Sequence, residues 1–158
     1  MFKFFGQKPK DDAILALDIG TEIVKAAVFI DTSYFLALIN SRDKYHEAAK
    51  EAAAKVEPPF VTSDAVLFEL GNALARPPQR KLAVNAIQQI RADAKIEIVH
   101  VDPDLLAQTI AFYRARPDKG WGLTDCASFV IMRQRGLFEA LTADKHFQQA
   151  GFTPLLSL

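Results

Sequence analysis

The chain has one cysteine, Cys126, so no internal disulfide can form and a metal–thiolate cluster is excluded. Such usage fits a reducing compartment. Neither charge is in surplus, with 19 basic residues against 19 acidic ones. A protein that coats nucleic acid or anionic membrane through bulk charge is not expected, so any RNA contact must come from a local basic rim or from bound cations. No apolar run approaches a membrane span. The opening Met1-Phe2-Lys3-Phe4-Phe5-Gly6 has too short an apolar run for a signal peptide, and no small-residue cleavage pattern follows. Together these absences predict a soluble, cytoplasmic protein with no membrane partner. What is present is apolar: 50% of 158 residues, enough for a sizeable core in one domain.

The head, residues 1–26, differs from the rest. Lys8-Pro9-Lys10-Asp11-Asp12 is a polar spacer, Ala13–Ile19 reads as a buried strand, Gly20-Thr21 as a turn, and Glu22–Phe29 as a possible second strand. From Val28 the pattern alternates strand and helix. Strands are expected at Val28–Ile30, Phe60-Val61, Ile96–Val101 and Glu139–Thr142, with an edge strand at Phe152–Leu155. Helices are expected at Thr32–Ile39, Lys44–Lys55, Asp64–Ala75, Arg80–Ala94, Pro103–Arg114 and from Thr124 through Arg135, with Ser63 and Thr124 as N-caps and Pro77-Pro78 as a break. Short apolar strands separated by helices predict an α/β fold, a three-layer α/β/α sandwich around a mainly parallel sheet.

Four acids stand out against this pattern. Ligands gather at the carboxyl ends of strands in open α/β sheets. Asp31 directly follows Val28–Ile30, and Asp144 lies just after Glu139–Thr142, which puts both at one edge of the sheet. Asp125 falls in the first turn of a helix, where the helix dipole favours a carboxylate. Glu69 borders an apolar helix face with Val66, Leu70 and Ala73, a costly place for an unpaired charge. No matching lysine or arginine accompanies them in these motifs. The pattern suits a hard divalent cation held by oxygen ligands, Mg²⁺ or Mn²⁺, which would serve phosphodiester hydrolysis. The residues alone leave a second reading open: a cap, a first-turn acid, a loop charge and a solvated helix edge, unrelated in space. If they do converge, their mutual repulsion costs roughly 4 kcal/mol for two charges about 4 Å apart at an effective dielectric near 20. Raised carboxyl pKa values are then expected without metal.

At these residues the sequence resembles a known family. Phe29-Ile30-Asp31-Thr32-Ser33 followed by Leu36-Ala37-Leu38, then Arg42–Ala49, resembles the opening of PIN-domain proteins. Val61-Thr62-Ser63 with Glu69, Gly120-Trp121-Gly122-Leu123-Thr124-Asp125-Cys126-Ala127-Ser128-Phe129, and Leu141-Thr142-Ala143-Asp144-Lys145-His146-Phe147 with Gly151-Phe152 resemble the second, third and fourth motifs. The match spans residues 27 to about 156, and four motifs in order are a far stronger signal than any one of them. The nearest group resembles the toxin subunits of VapBC-type toxin–antitoxin pairs. The resemblance implies a Mg²⁺- or Mn²⁺-dependent ribonuclease that forms a homodimer and is inhibited by a small antitoxin protein. It also implies that Asp31, Glu69, Asp125 and Asp144 are the catalytic, metal-holding quartet, with Thr32 and Ser33 supporting Asp31 and Thr124 orienting Asp125. Two alternatives remain: a PIN-like nuclease of RNA processing, and a non-catalytic RNA- or protein-binding module with this fold.

Other residues carry weaker signals. His46, His100 and His146 share no metal-ligand spacing; His46 reads as a surface or packing residue and His146 as positional. Cys126 adjoins an acid and lacks a basic neighbour to lower its pKa, so a nucleophilic role is not expected. Arg42, Lys44, Arg116 and Lys119 sit in or near loops able to border an acidic cleft, as phosphate contacts or as a solvated face. Trp121 can stack a base or simply pack its loop. The helix Pro103–Arg114 reads as core or dimer surface. In the head, Leu17-Asp18-Ile19-Gly20-Thr21 with Val24-Lys25 and Val28 resembles the first phosphate hairpin of actin-like ATPases. No other element of that fold is recognisable, and one hairpin cannot enclose a nucleotide. The head therefore reads as a fused fragment or altered gene start, ATP binding is not expected, and the nuclease domain is placed at residues 27–158.

Overall fold

A computed structural model describes residues 26–156. The readings made for the head, including the phosphate-hairpin resemblance and Asp18, lie outside the described residues apart from its last positions.

The chain runs β1 (Val28–Ile30), α1 (Thr32–Ile39), α2 (His46–Lys55), β2 (Phe60–Ser63), α3 (Asp64–Ala73), α4 (Pro77–Ala92), β3 (Ile96–Val99), α5 (Pro103–Arg114), α6 (Leu123–Gln134), β4 (Glu139–Leu141), α7 (Lys145–Gln149) and β5 (Thr153–Pro154). Five strands form one sheet in the order β3-β2-β1-β4-β5, and every neighbouring pair is parallel. Helices flank the sheet, as a parallel sheet requires: all of β1 and β2 is buried, which short strands covered on both faces must be. Phe29, Ile30, Phe60 and Leu141 are wholly inaccessible, and each such side chain contributes roughly 1.5–3 kcal/mol relative to exposure. Among the described residues no helix is long and apolar enough to cross a membrane.

The strand order matters for function. From β1 the chain steps outward through β2 to β3, then returns to lay β4 on the other side of β1. The switch between the two directions lies between β1 and β4, the position where such sheets open a crevice at their carboxyl ends. Two glycines steer the chain into β4 and into β5. Gly136, at φ +63°, ends α6 with its N–H on the Arg133 carbonyl and the Leu137 N–H on Met132, the paired bonds of a Schellman close. Gly151, at φ +92°, ends α7 in the same way, with Gly151 bonded to Gln148 and Phe152 to Phe147.

Several expected boundaries move for physical reasons. Pro77 and Pro78 do not break a helix; they open α4, whose first turn needs no proline N–H. Thr124 is not an N-cap, because α6 starts at Leu123 and Gly122 caps it. The strand expected to reach Val101 stops at Val99, since the Asp64 carboxylate draws in the Val101 N–H (3.1 and 3.2 Å) and turns the chain. Helix α7 has five residues, too few to show a helical period.

Candidate active site

The first acid is built by the end of β1. Asp31 continues the ladder, its N–H donating to the Leu141 carbonyl (3.1 Å). Its side chain then caps α1. Oδ2 accepts from the Ser33 N–H (3.2 Å), the Ser33 hydroxyl (2.7 Å) and the Thr142 hydroxyl (2.8 Å). Asp31 is only 5% exposed, and burial pushes its carboxyl up to about 6 against the opposing pull of those hydrogen bonds. Repulsion between clustered acids was the expected cause; burial is the actual one. A buried carboxylate that is hydrogen-bonded yet still costly to ionise is a group whose charge calls for a cation.

The second acid reaches the same place from α3. Thr32 donates its hydroxyl to Glu69 Oε2 at 2.7 Å, tying α3 to the first residue of α1. Of the two hydroxyls expected to support Asp31, Ser33 does so and Thr32 serves Glu69 instead.

Asp125 and Asp144 meet across a histidine. The Asp125 Oδ2 accepts the Gly122 N–H (2.9 Å), so backbone rather than Thr124 orients it. Asp144 caps α7, taking the His146 N–H at 2.8 Å. The His146 Nδ1 lies 3.1 Å from Asp125 Oδ2 and 3.4 Å from Asp144 Oδ1. Ligand atoms of these three residues all fall within 4.8 Å of one another. Thr142 joins this group to Asp31, because its Oγ1 accepts the Asp144 N–H (3.0 Å) while its proton goes to Asp31. The Ser33 Oγ accepts the Ala143 N–H (3.0 Å) and completes the tie between α1 and the β4–α7 loop.

All four expected residues therefore stand at the carboxyl edge. Asp31, Asp144 and Asp125 belong to one hydrogen-bonded chain through Thr142 and His146, and Glu69 is held beside Asp31 through Thr32. Among the described residues no lysine or arginine lies within ion-pairing distance of any of them. The donor set is hard carboxylate oxygen with one imidazole at its margin, which fits Mg²⁺ or Mn²⁺ and does not suit soft ions. Thr142 and His146 were missed as site residues. Their signal was the spacing of two on either side of Asp144, which puts both within reach of its backbone and side chain.

Among the described residues no side-chain nucleophile competes with this reading. Cys126 is fully buried, and its thiol is pushed up by burial and then by the Asp125 charge. His146 faces two carboxylates, not a hydroxyl or thiol. Trp121 is packed: it stacks on Phe112 at 5.9 Å and 4° and meets Phe129 edge-on at 5.1 Å. The His46 Nδ1 lies against the Ala37 carbonyl at 2.7 Å, joining α2 to α1.

Comparison with known proteins identifies the family and the fold. The PIN-domain profile matches residues 28–153. The chain is 34% identical over 125 residues to the 23S rRNA-specific endonuclease VapC20 of Mycobacterium tuberculosis, covering 79% of this chain and 95% of that protein. The crystal structure of the same protein, described as a sarcin–ricin loop cleaving toxin, superposes with a TM-score of 0.76 at 32% identity over 80% of this chain and 97% of the other. A toxin–antitoxin complex from Klebsiella pneumoniae shares the fold, with a TM-score of 0.59 at 16% identity, 84% of this chain and 100% of that one.

Proposed function

The chain belongs to the PIN-domain family, and on that footing we propose that it is a Mg²⁺- or Mn²⁺-dependent endoribonuclease, the toxin of a toxin–antitoxin pair. The observation that carries the reading is the linked carboxylate set at the β1–β4 switch point: Asp31, Glu69, Asp125 and Asp144, with no lysine or arginine partner among the described residues. These four would hold the metal, which when bound supplies an activated water and neutralises charge on the phosphodiester. The chain's own residues do the positioning. Ser33 and Thr142 fix one oxygen of Asp31, Thr32 fixes Glu69, the Gly122 N–H fixes Asp125, and His146 spaces Asp125 from Asp144. Each acid is thus oriented before substrate arrives, which lowers the reorganisation needed at reaction.

The substrate class is RNA, and large-subunit ribosomal RNA is the first to test, given what the VapC20 relative cleaves. A small antitoxin is the proposed partner and the cytoplasm the proposed compartment. Leu106, Ile110 and Tyr113, spaced along α5 and each nearly half exposed, support a homodimer. The catalytic unit is residues 27–158. The test is incubation of the purified protein with ribosomes and with total RNA, in EDTA and in Mn²⁺, with product mapping and Asp31→Asn as control. Metal-dependent cuts absent from the control are expected. Cleavage that persists in EDTA would remove the metal reading, and no cleavage of any RNA would remove the nuclease reading.

A further inference from the structure

We propose that the cleft between the α1–α2 loop and the β4–α7 loop seats an unpaired nucleotide flanking the scissile bond, with Lys44 and Lys145 as its phosphate contacts and Tyr45 and Leu36 as the wall for its base. This rests on the ribonuclease reading above.

The cleft measures about 520 Å³ and is lined by Ser33, Leu36, Asp43, Lys44, Tyr45, Ala143, Asp144 and Lys145. Ser33 and Asp144 are shared with the acid site, so a strand lying in the cleft runs directly into the carboxylates. Lys44 stands on one wall and Lys145 on the other. The protein's net charge is +0, so recruitment of a polyanion falls to local cations. Neither has a carboxylate within 4.0 Å among the described residues, whereas Lys50, Lys55, Lys119 and Arg135 each do.

Two of the other basic candidates, Lys119 and Arg116, have partners elsewhere. Lys119 is paired with Asp118 at 3.2 Å, and Arg116 lies over the Phe112 ring at 5.7 Å. Trp121, on that same side, is buried and has no face for a base. The asymmetry directs the strand to the α1–α2 side. The loop there is built to hold a shape. The Asp43 N–H donates to the Asn40 carbonyl (2.9 Å), Tyr45 donates its N–H to Asp43 Oδ1 (2.8 Å), and His46 donates to the Asp43 carbonyl (3.0 Å). Asp43 is thereby occupied with its own loop. The Lys44 ammonium sits 4.8 Å over the Tyr45 ring, so phosphate and ring contacts fall within one nucleotide's reach. Tyr45 and Leu36 are partly buried against the core and present the rest of their surface to the cleft. A base can meet such a wall only when unstacked, which selects single-stranded or loop RNA over duplex.

The experiment uses the full chain and a fluorescent single-stranded RNA decamer. Affinity is measured in EDTA by anisotropy across a salt series, and KM and kcat are measured with Mn²⁺. Lys44→Ala and Lys145→Ala should each weaken binding and flatten the slope of log K against log salt by about 0.7. Together they should raise KM with little change in kcat. Lys119→Ala should leave both unchanged, and the decamer should bind better than the same sequence annealed into duplex. An unchanged salt slope in the double variant, beside parent-like cleavage, would overturn the cleft assignment and leave the nuclease reading intact. A parent protein that binds the decamer with this lysine dependence but never cuts RNA would do the reverse.

Discussion

Asp31→Asn should make the metal-free protein more stable, by an amount that depends on pH. The Asp31 carboxyl stands at about 6 in the fold against an ordinary value of 3.8. An acid raised in this way binds its proton more tightly in the folded state than in the unfolded one. Its contribution is therefore most favourable below about pH 4 and is lost as pH climbs through about 6. A gap of about two pH units corresponds to roughly 3 kcal/mol at 1.36 kcal/mol per unit. Asparagine mimics the protonated acid and avoids that cost. Its amide oxygen can still accept from Ser33 and Thr142, and it remains a good N-cap for α1. For a chain of this size 3 kcal/mol is roughly 6–12 °C in Tm. Thermal unfolding in EDTA should therefore show the variant above the parent at pH 8, with the gap closing towards pH 4.5. Adding Mn²⁺ should raise the parent by about 2.7 kcal/mol at a hundredfold excess over its dissociation constant and raise the variant far less. The order of melting then narrows or reverses while only the parent cleaves RNA. A variant that melts below the parent at pH 8 in EDTA, or a gap that ignores pH, would refute the reasoning and make the ionised carboxylate a structural hub.

Three further outcomes follow from the same geometry. Asp125→Asn can keep the Gly122 N–H bond through its amide oxygen, so it should melt at or above the parent without metal, lose most of the Mn²⁺ shift and nearly all cleavage; an equal Mn²⁺ shift would make Asp125 a helix cap only. RNA products should carry 5′-phosphate and 3′-hydroxyl ends by end-labelling, because no side-chain nucleophile–base pair stands in the site; a 2′,3′-cyclic phosphate would mean that the ribose hydroxyl attacked. A chain starting at Ala27 should cleave RNA as the full chain does, and calorimetry of the full chain with ATP should show no binding; loss of cleavage on truncation would make the head part of the working unit.

The parallel sheet was legible because its strands are short, largely apolar and separated by helices. Asp31 and Asp144 could be placed at one edge because Asp31 directly follows such a strand and Asp144 comes shortly after another. What local pattern could not supply was contact between distant segments. Thr142 sits within a quoted motif, yet its role depends on β4 lying beside β1. His146 was compared with the other histidines for spacing, whereas its partners are Asp144, two residues before it, and Asp125, a neighbour only in space. Boundaries drifted where the chemistry permits two outcomes. Proline both stops a helix and starts one, and Pro77 does the second. Thr124 is a good cap in isolation, but Gly122 stands two residues nearer the loop and Asp125 accepts its N–H.

The β1–β4 ladder, with Phe29 beside Ala140, Ile30 beside Leu141 and the Asp31 N–H on Leu141, also fixes when the carboxylate set comes together. Thr142 lies 111 residues after Asp31. A ladder between strands so far apart in sequence is slow to close, since the intervening chain must be ordered first. Until β4 has been made, the carboxylate set therefore stays unassembled. A chain stopped before β4 would lack both the strand that positions Asp31 and the acid that follows it. On the proposed ribonuclease reading, activity should arise only once β4 has been made and laid beside β1.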